Sequence, residues 1–123
     1  MIEATTLPEP WQVRFRAGEN EGRADTVKDG KGGSAGMRPH ELLEASLATC
    51  LAISAQMALA ELGIADGEVG VRVSVEREES VTRFRYQLTL DPALEDHRPA
   101  VMERIERSPV RATLSRQLFF EPS

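Results

Sequence analysis

The stretch from Pro39 to Gly63, PHELLEASLATCLAISAQMALAELG, carries no charged side chain between Glu44 and Glu61. Its spacing predicts one helix, about 37 Å long at 1.5 Å per residue and about twice the usual length for a globular protein. Pro39 suits the first helical position, where a missing N–H leaves no intrahelical bond unmade. Glu41 and Glu44 lie at the positive end of the helix dipole, and Gly63 is a natural stop. Leu42, Leu43, Leu47, Leu51, Ile53, Met57, Leu59 and Leu62 point all round the axis, with Ala filling most gaps. A helix apolar on every side is expected to be buried on every side. The uncharged run is shorter than the roughly 20 residues that a bilayer needs. It also carries Ser46, Thr49, Ser54 and Gln56. The expectation is a buried core helix and no membrane association.

A chain of 123 residues is expected to form a single domain, residues 1–123, with enough length for a core. It cannot easily surround so long a helix from all directions alone. A homodimer, in which a partner copy covers the remaining face, is the first expectation; a sheet curling round the helix within one subunit is the alternative. The formal charge of −5 argues against nucleic acid, which calls for a basic footprint. Arg14, Arg16, Arg72, Arg77, Arg83 and Arg85 alternate with apolar residues, as on a solvated sheet face. Met1-Ile2-Glu3-Ala4 has neither a basic start nor an apolar core, so no secretory signal is expected. A lone cysteine excludes a disulfide framework and fits a reducing cytoplasm.

Residues 1–10, with Pro8 and Pro10, suggest an extended lead-in. Trp11 to Ala17 alternates as a half-buried strand, Gly18 to Gly22 suggests a turn, and Arg23 to Val27 a returning strand. Asp29 to Gly36, DGKGGSAG, lacks the spacing of either phosphate-binding glycine motif and is expected to be a flexible loop. Val69, Val71, Val73 and Val75, then Thr82, Phe84, Tyr86, Leu88 and Leu90, predict an antiparallel hairpin around Glu78-Glu79-Ser80, ended by Asp91-Pro92. An amphipathic helix is expected over Glu95–Arg107 and a short one from Ser108-Pro109 to about Arg116. Gln117 to Glu121 suggests a final strand. The order defines an α+β fold with an antiparallel sheet packed on helices.

A lone cysteine in an Ala/Leu-rich helix suits a small core hydrophobe. Reactivity requires thiolate, and the residues one turn from Cys50 (Ser46, Leu47, Ile53 and Ser54) supply no positive charge. An activating arginine would have to come from another segment. Ser46, Cys50 and Ser54 form a small, mildly polar stripe that allows close helix approach or lines a pocket. His40 lies about 15 Å from Cys50 along a straight helix, and His97 suits a surface position. One Cys and two His at these spacings make no zinc site. Ser46, Ser54 and Ser108 lack the context of a serine hydrolase nucleophile. No cofactor is implied.

The motif Pro39-x-Glu41-Leu42-Leu43-x-Ala45-x-Leu47-Ala48-x-Cys50, on a long apolar helix after a Gly-rich loop, resembles the OsmC/Ohr family of osmotically inducible protein C and organic hydroperoxide resistance proteins. The similarity runs from about Gly22 onward. It continues through the valine strand, Leu88-x-Leu90-Asp91 and Ile105-Glu106-Arg107-Ser108-Pro109-Val110-Arg111-Ala112-Thr113-Leu114. This last segment is similar to the one bearing the family's second cysteine. The resemblance implies an intertwined homodimer of antiparallel sheets wrapped around long central helices. It also implies thiol-dependent reduction of organic hydroperoxides: the helix cysteine, here Cys50, becomes a sulfenic acid, and the second cysteine condenses with it.

Here Ser108 stands at the second cysteine's position, so no intramolecular disulfide can form. The carboxylate that follows the proline in the hydroperoxide resistance branch aligns with His40, and Glu41 is one residue further on. That branch's activating arginine is nearest matched by Gly22-Arg23, with Arg38 as a rival. A sulfenic acid on Cys50 would then be resolved by an external thiol or advance to sulfinic acid, while Ser108 suits a helix cap. Two functions follow as expectations. One is a one-cysteine peroxidase in oxidative stress defence; the other is a non-catalytic dimer binding a small apolar ligand in an inter-subunit pocket.

Overall fold

The computed structural model describes all 123 residues. The chain is α+β and divides into two compact units, Met1–Leu43 and Glu44–Ser123.

In the N-terminal unit, β1 (Glu3–Thr6), β2 (Val13–Ala17) and β3 (Asn20–Ala24) form an antiparallel sheet in the order β1-β2-β3. The lead-in is therefore a strand, invisible to apolar alternation because Glu3-Ala4-Thr5-Thr6 is exposed throughout. The expected return strand at Arg23–Val27 lies earlier. The chain reverses within Gly18-Glu19, so that Ala17 pairs with Asn20 and Val13 with Ala24. The glycine-rich stretch is not a flexible loop at its start. β4 (Val27–Lys28) and β5 (Lys31–Gly32) form a small hairpin joined by Asp29 and Gly30. Both turn residues have positive φ, 55° and 73°, the type I′ geometry that Asp-Gly favours and that matches strand twist.

The long helix, α1 (Pro39–Glu61), spans 23 residues. Its end is a Schellman motif: the Gly63 N–H donates to the Ala60 carbonyl and the Ile64 N–H to the Leu59 carbonyl, at 3.0 and 2.9 Å. Gly63 takes the left-handed conformation (φ 80°) that this closure requires.

In the C-terminal unit, α1 buries Leu47, Leu51, Ser54, Ala55, Ala58 and Leu59. On the opposite side Ser46, Thr49, Ile53, Gln56, Met57 and Ala60 are exposed. Burial on every side is thus corrected for the single chain. One chain provides packing for one stripe, and Ile53 and Met57 remain about half exposed, at 52% and 49%. By length and composition α1 could cross a bilayer, but its buried stripe belongs to a protein core with Leu90, Leu94, Val101 and Ile105.

β6 (Val69–Arg77) and β7 (Thr82–Leu90) form the expected antiparallel hairpin. Val71 opposes Leu88, Val73 opposes Tyr86 and Val75 opposes Phe84; all but Val75 pack against the α1 core. Two arginines on the other face pair with carboxylates, Arg85 with Glu76 at 2.8 Å and Arg83 with Glu78 at 2.7 Å. On β6, the Val75 N–H donates to the Glu44 carboxylate of α1 at 2.9 Å.

The helix expected over Glu95–Arg107 is two elements, a 3₁₀ helix (Pro92–His97) and α2 (Arg98–Ile105). Asp91 starts the first by accepting the Ala93 N–H at 3.1 Å. α3 (Pro109–Leu114) follows. The final strand at Gln117–Glu121 is absent. No strand pairs with this segment, and Phe119 and Phe120 are 72% and 89% exposed.

Candidate functional site

Cys50 is half-buried on α1, three residues after the core residue Leu47 and one before the fully buried Leu51. Its Sγ accepts a hydrogen bond from the backbone N–H of Val110 at 3.5 Å, across 60 residues of sequence. Val110 is the second residue of α3. An N–H at this position ordinarily goes to the side-chain oxygen of the N-cap residue. That residue is Ser108, and its backbone has N-cap geometry: φ is −65°, ψ is 143°, and its carbonyl accepts the Ala112 N–H at 3.0 Å.

Its side chain does not cap. Ser108 is 1% exposed, and its Oγ has no hydrogen-bond partner. The expectation that Ser108 serves as a helix cap is therefore corrected: the donor it would satisfy points to the Cys50 sulfur instead. The fold brings Cys50 and the Ser108 segment together at the first turn of α3.

An open cavity of about 250 Å³ is lined by Leu47, Thr82, Phe84, Tyr86, Arg111, Leu114 and Ser115. Leu47 is one turn from Cys50, and Arg111 follows Val110. The Arg111 guanidinium is tied by Nη1 to the Glu106 carbonyl at 2.9 Å. The lining combines aromatic and aliphatic surface with the Thr82 and Ser115 hydroxyls and one cation.

The other sequence candidates lie in the N-terminal unit. Glu41 is occupied by the helix itself: its Oε1 accepts the Arg38 N–H at 2.9 Å, the reciprocal half of a capping box. His40 is exposed at the second position of α1. Arg23 is exposed on β3, opposite Arg14 on β2. No group of three or more His, Cys, Asp or Glu side chains lies close enough to hold a metal ion.

Sequence reasoning missed Asp25, a buried carboxylate at 1% exposure. It accepts N–H groups from Thr26 at 2.8 Å, Ala35 at 3.0 Å and Gly33 at 3.3 Å. The Ala35 bond is the main cause that holds its pKa below the usual carboxylate value; burial opposes it, and the Thr26 and Gly33 bonds reinforce it. Two of its partners are backbone groups eight and ten residues downstream in the glycine-rich stretch, and no side-chain pattern announces them. Asp25 organises that stretch.

The family model described as OsmC-like protein matches residues 30–123, and the chain belongs to this family. No curated protein matches the sequence significantly. Among solved structures, the chain is similar to a Psychrobacter arcticus protein described as an osmotic stress induced and detoxification response protein. The TM-score is 0.75 at 17% identity, over 91% of this chain and 85% of that one. It is also similar to an organic hydroperoxide resistance protein OsmC from Legionella pneumophila, with a TM-score of 0.60, 16% identity and coverage of 93% and 87%. A third is a Vibrio cholerae protein described as an organic hydroperoxide resistance protein, with captopril bound in one of its active sites (0.61, 18%, 93% and 83%). At these identities the likeness is one of fold.

Proposed function

We propose that this protein reduces organic hydroperoxides through Cys50, as a cytoplasmic homodimer and single OsmC-like domain, with an external thiol completing the cycle. The observation that carries this reading is the Cys50 Sγ contact with the first turn of α3. It sets the only cysteine against the Ser108 segment, where the resemblance places the family's resolving residue. Fold similarity to proteins described as organic hydroperoxide resistance proteins supports it. Arg23, with Arg38 as its rival, His40 and Glu41 are the candidates to assist Cys50. The exposed stripe of α1, with Ile53 and Met57 in its middle, supports a partner copy over that face.

The test is consumption of cumene hydroperoxide with excess external thiol. The wild-type protein is expected to turn over, and Cys50→Ala to fall to the uncatalysed rate; equal rates would end the proposal. Light scattering at micromolar concentration is expected to give twice the chain mass, and Ile53→Asp to shift it toward one chain.

The cavity lined by Leu47 and Arg111 favours a second reading, a dimer that binds a small apolar ligand without turnover. Mass spectrometry of lipophilic molecules that co-purify with the protein, together with an inactive Cys50, would decide for it.

A further inference from the structure

We infer that the Ser108 hydroxyl is the built-in hydrogen-bond partner of an oxidised Cys50, accepting the O–H of a sulfenic acid formed there. This inference rests on the peroxidase reading above and adds the residue that holds its intermediate. Two independent observations support it. Cys50 Sγ occupies the seat of a capping oxygen at the second N–H of α3. Ser108, the N-cap residue of the same turn, keeps a buried Oγ with no partner.

Leaving a hydroxyl buried and unbonded costs free energy, and such a group in a native structure calls for an explanation. A reduced Cys50 offers Ser108 little, because a thiol is a weak donor and a weak acceptor. One added oxygen changes the chemistry of that neighbourhood. The Cys50 thiolate attacks one oxygen of ROOH; the S–O bond forms, the O–O bond breaks, and RO⁻ leaves and takes up a proton to become the alcohol. Sulfur is oxidised by two electrons and the peroxide is reduced by two. The resulting S–O–H is a strong donor, and the Ser108 Oγ is an acceptor that nothing else uses.

Accepting that proton favours the neutral sulfenic acid over its anion. The anion is the species that attacks a second hydroperoxide and runs on to the irreversible sulfinic acid. Ser108 thereby prolongs the state that an external thiol resolves. The thiol sulfur attacks Cys50 and water leaves, giving a mixed disulfide; a second thiol releases Cys50 as thiol and departs as the external disulfide. A second cysteine would trap the sulfenic acid as a disulfide. A serine, which cannot, holds it for an outside reductant.

The test compares the wild-type protein with Ser108→Ala, each treated with excess cumene hydroperoxide without thiol. Mass spectrometry follows the species carrying one added oxygen and its conversion to two. The one-oxygen species is expected to decay about fivefold faster in Ser108→Ala, the loss of about one hydrogen bond. The thermal midpoint of reduced Ser108→Ala is expected to be equal to or above that of the wild type. A merely structural serine would not move the two measurements in this way. An unchanged decay, or a faster decay with a lowered midpoint, overturns the inference and leaves the peroxidase reading standing. If Cys50 of the wild-type protein gains no oxygen, both fall.

Discussion

Asp25 and Ser108, one in each compact unit, are the most deeply buried polar side chains, and the two are treated in opposite ways. Asp25 in the N-terminal unit has its carboxylate bonded by three backbone N–H groups. Ser108 in the C-terminal unit has a hydroxyl bonded by nothing. The difference follows from what holds each unit. Residues 1–43 contribute a single buried apolar residue, Ala24, so short strands and turns there rely on polar bonds. Residues 44–123 have an apolar core of leucine, valine, isoleucine and alanine, which can carry the cost of one unsatisfied hydroxyl. A satisfied buried group marks architecture, and an orphan beside a cysteine marks a place where something else binds or forms.

The largest expected effect tests the apolar half of that contrast. Leu51→Ala removes a fully buried side chain from the C-terminal core and is expected to cost about 3 to 4 kcal/mol in urea unfolding. A cost under about 1 kcal/mol would mean that this unit is not held by packing.

Asp25→Asn comes next. One of its carboxylate oxygens becomes an amide donor facing backbone N–H groups, so the stretch from Thr26 to Ala35 is expected to lose hydrogen-exchange protection and thermal stability. The pH dependence has a fixed sign. Because the folded-state pKa of Asp25 is lowered from about 3.8, its contribution is complete above the ordinary carboxylate range. It is lost as pH falls below that range through the depressed folded value. Wild-type stability should therefore decline more steeply on acidification than that of Asp25→Asn; parallel curves would refute the assignment.

Ser108→Ala is the smallest effect and the sharpest, because its sign is at stake. A hydroxyl that caps α3 would cost about 1 kcal/mol on removal. An unbonded one should give no loss, or a gain of about 1 kcal/mol, measured as the urea midpoint of the reduced protein.

How far the sequence reveals these features varies with the range of the interactions. The β6–β7 hairpin is legible because Val69 to Val75 and Phe84 to Leu90 alternate and pair along their whole length. α1 is legible as a helix, though which face a single chain buries depends on partners that its uniform composition does not encode. β1 escapes because all four residues are exposed and only its pairing with β2 defines it. The Asp29-Gly30 turn had a local signal, hidden inside a stretch whose abundance of glycine suggested looseness. The Cys50–Val110 contact spans 60 residues and joins a sulfur to a backbone N–H. Only the family resemblance connects the two segments at the level of sequence. Asp25 had no signal at all, since every group it binds is main chain.

The bond from the Val75 N–H to Glu44 has a consequence for self-association. In a two-stranded sheet β6 has an unpartnered flank, the kind of surface on which a foreign strand can add and seed fibrils. A helix carboxylate occupies one rung of that ladder. An incoming strand would have to displace a negative charge before reaching the rung, so neutralising Glu44 would free that rung of the β6 flank for a foreign strand.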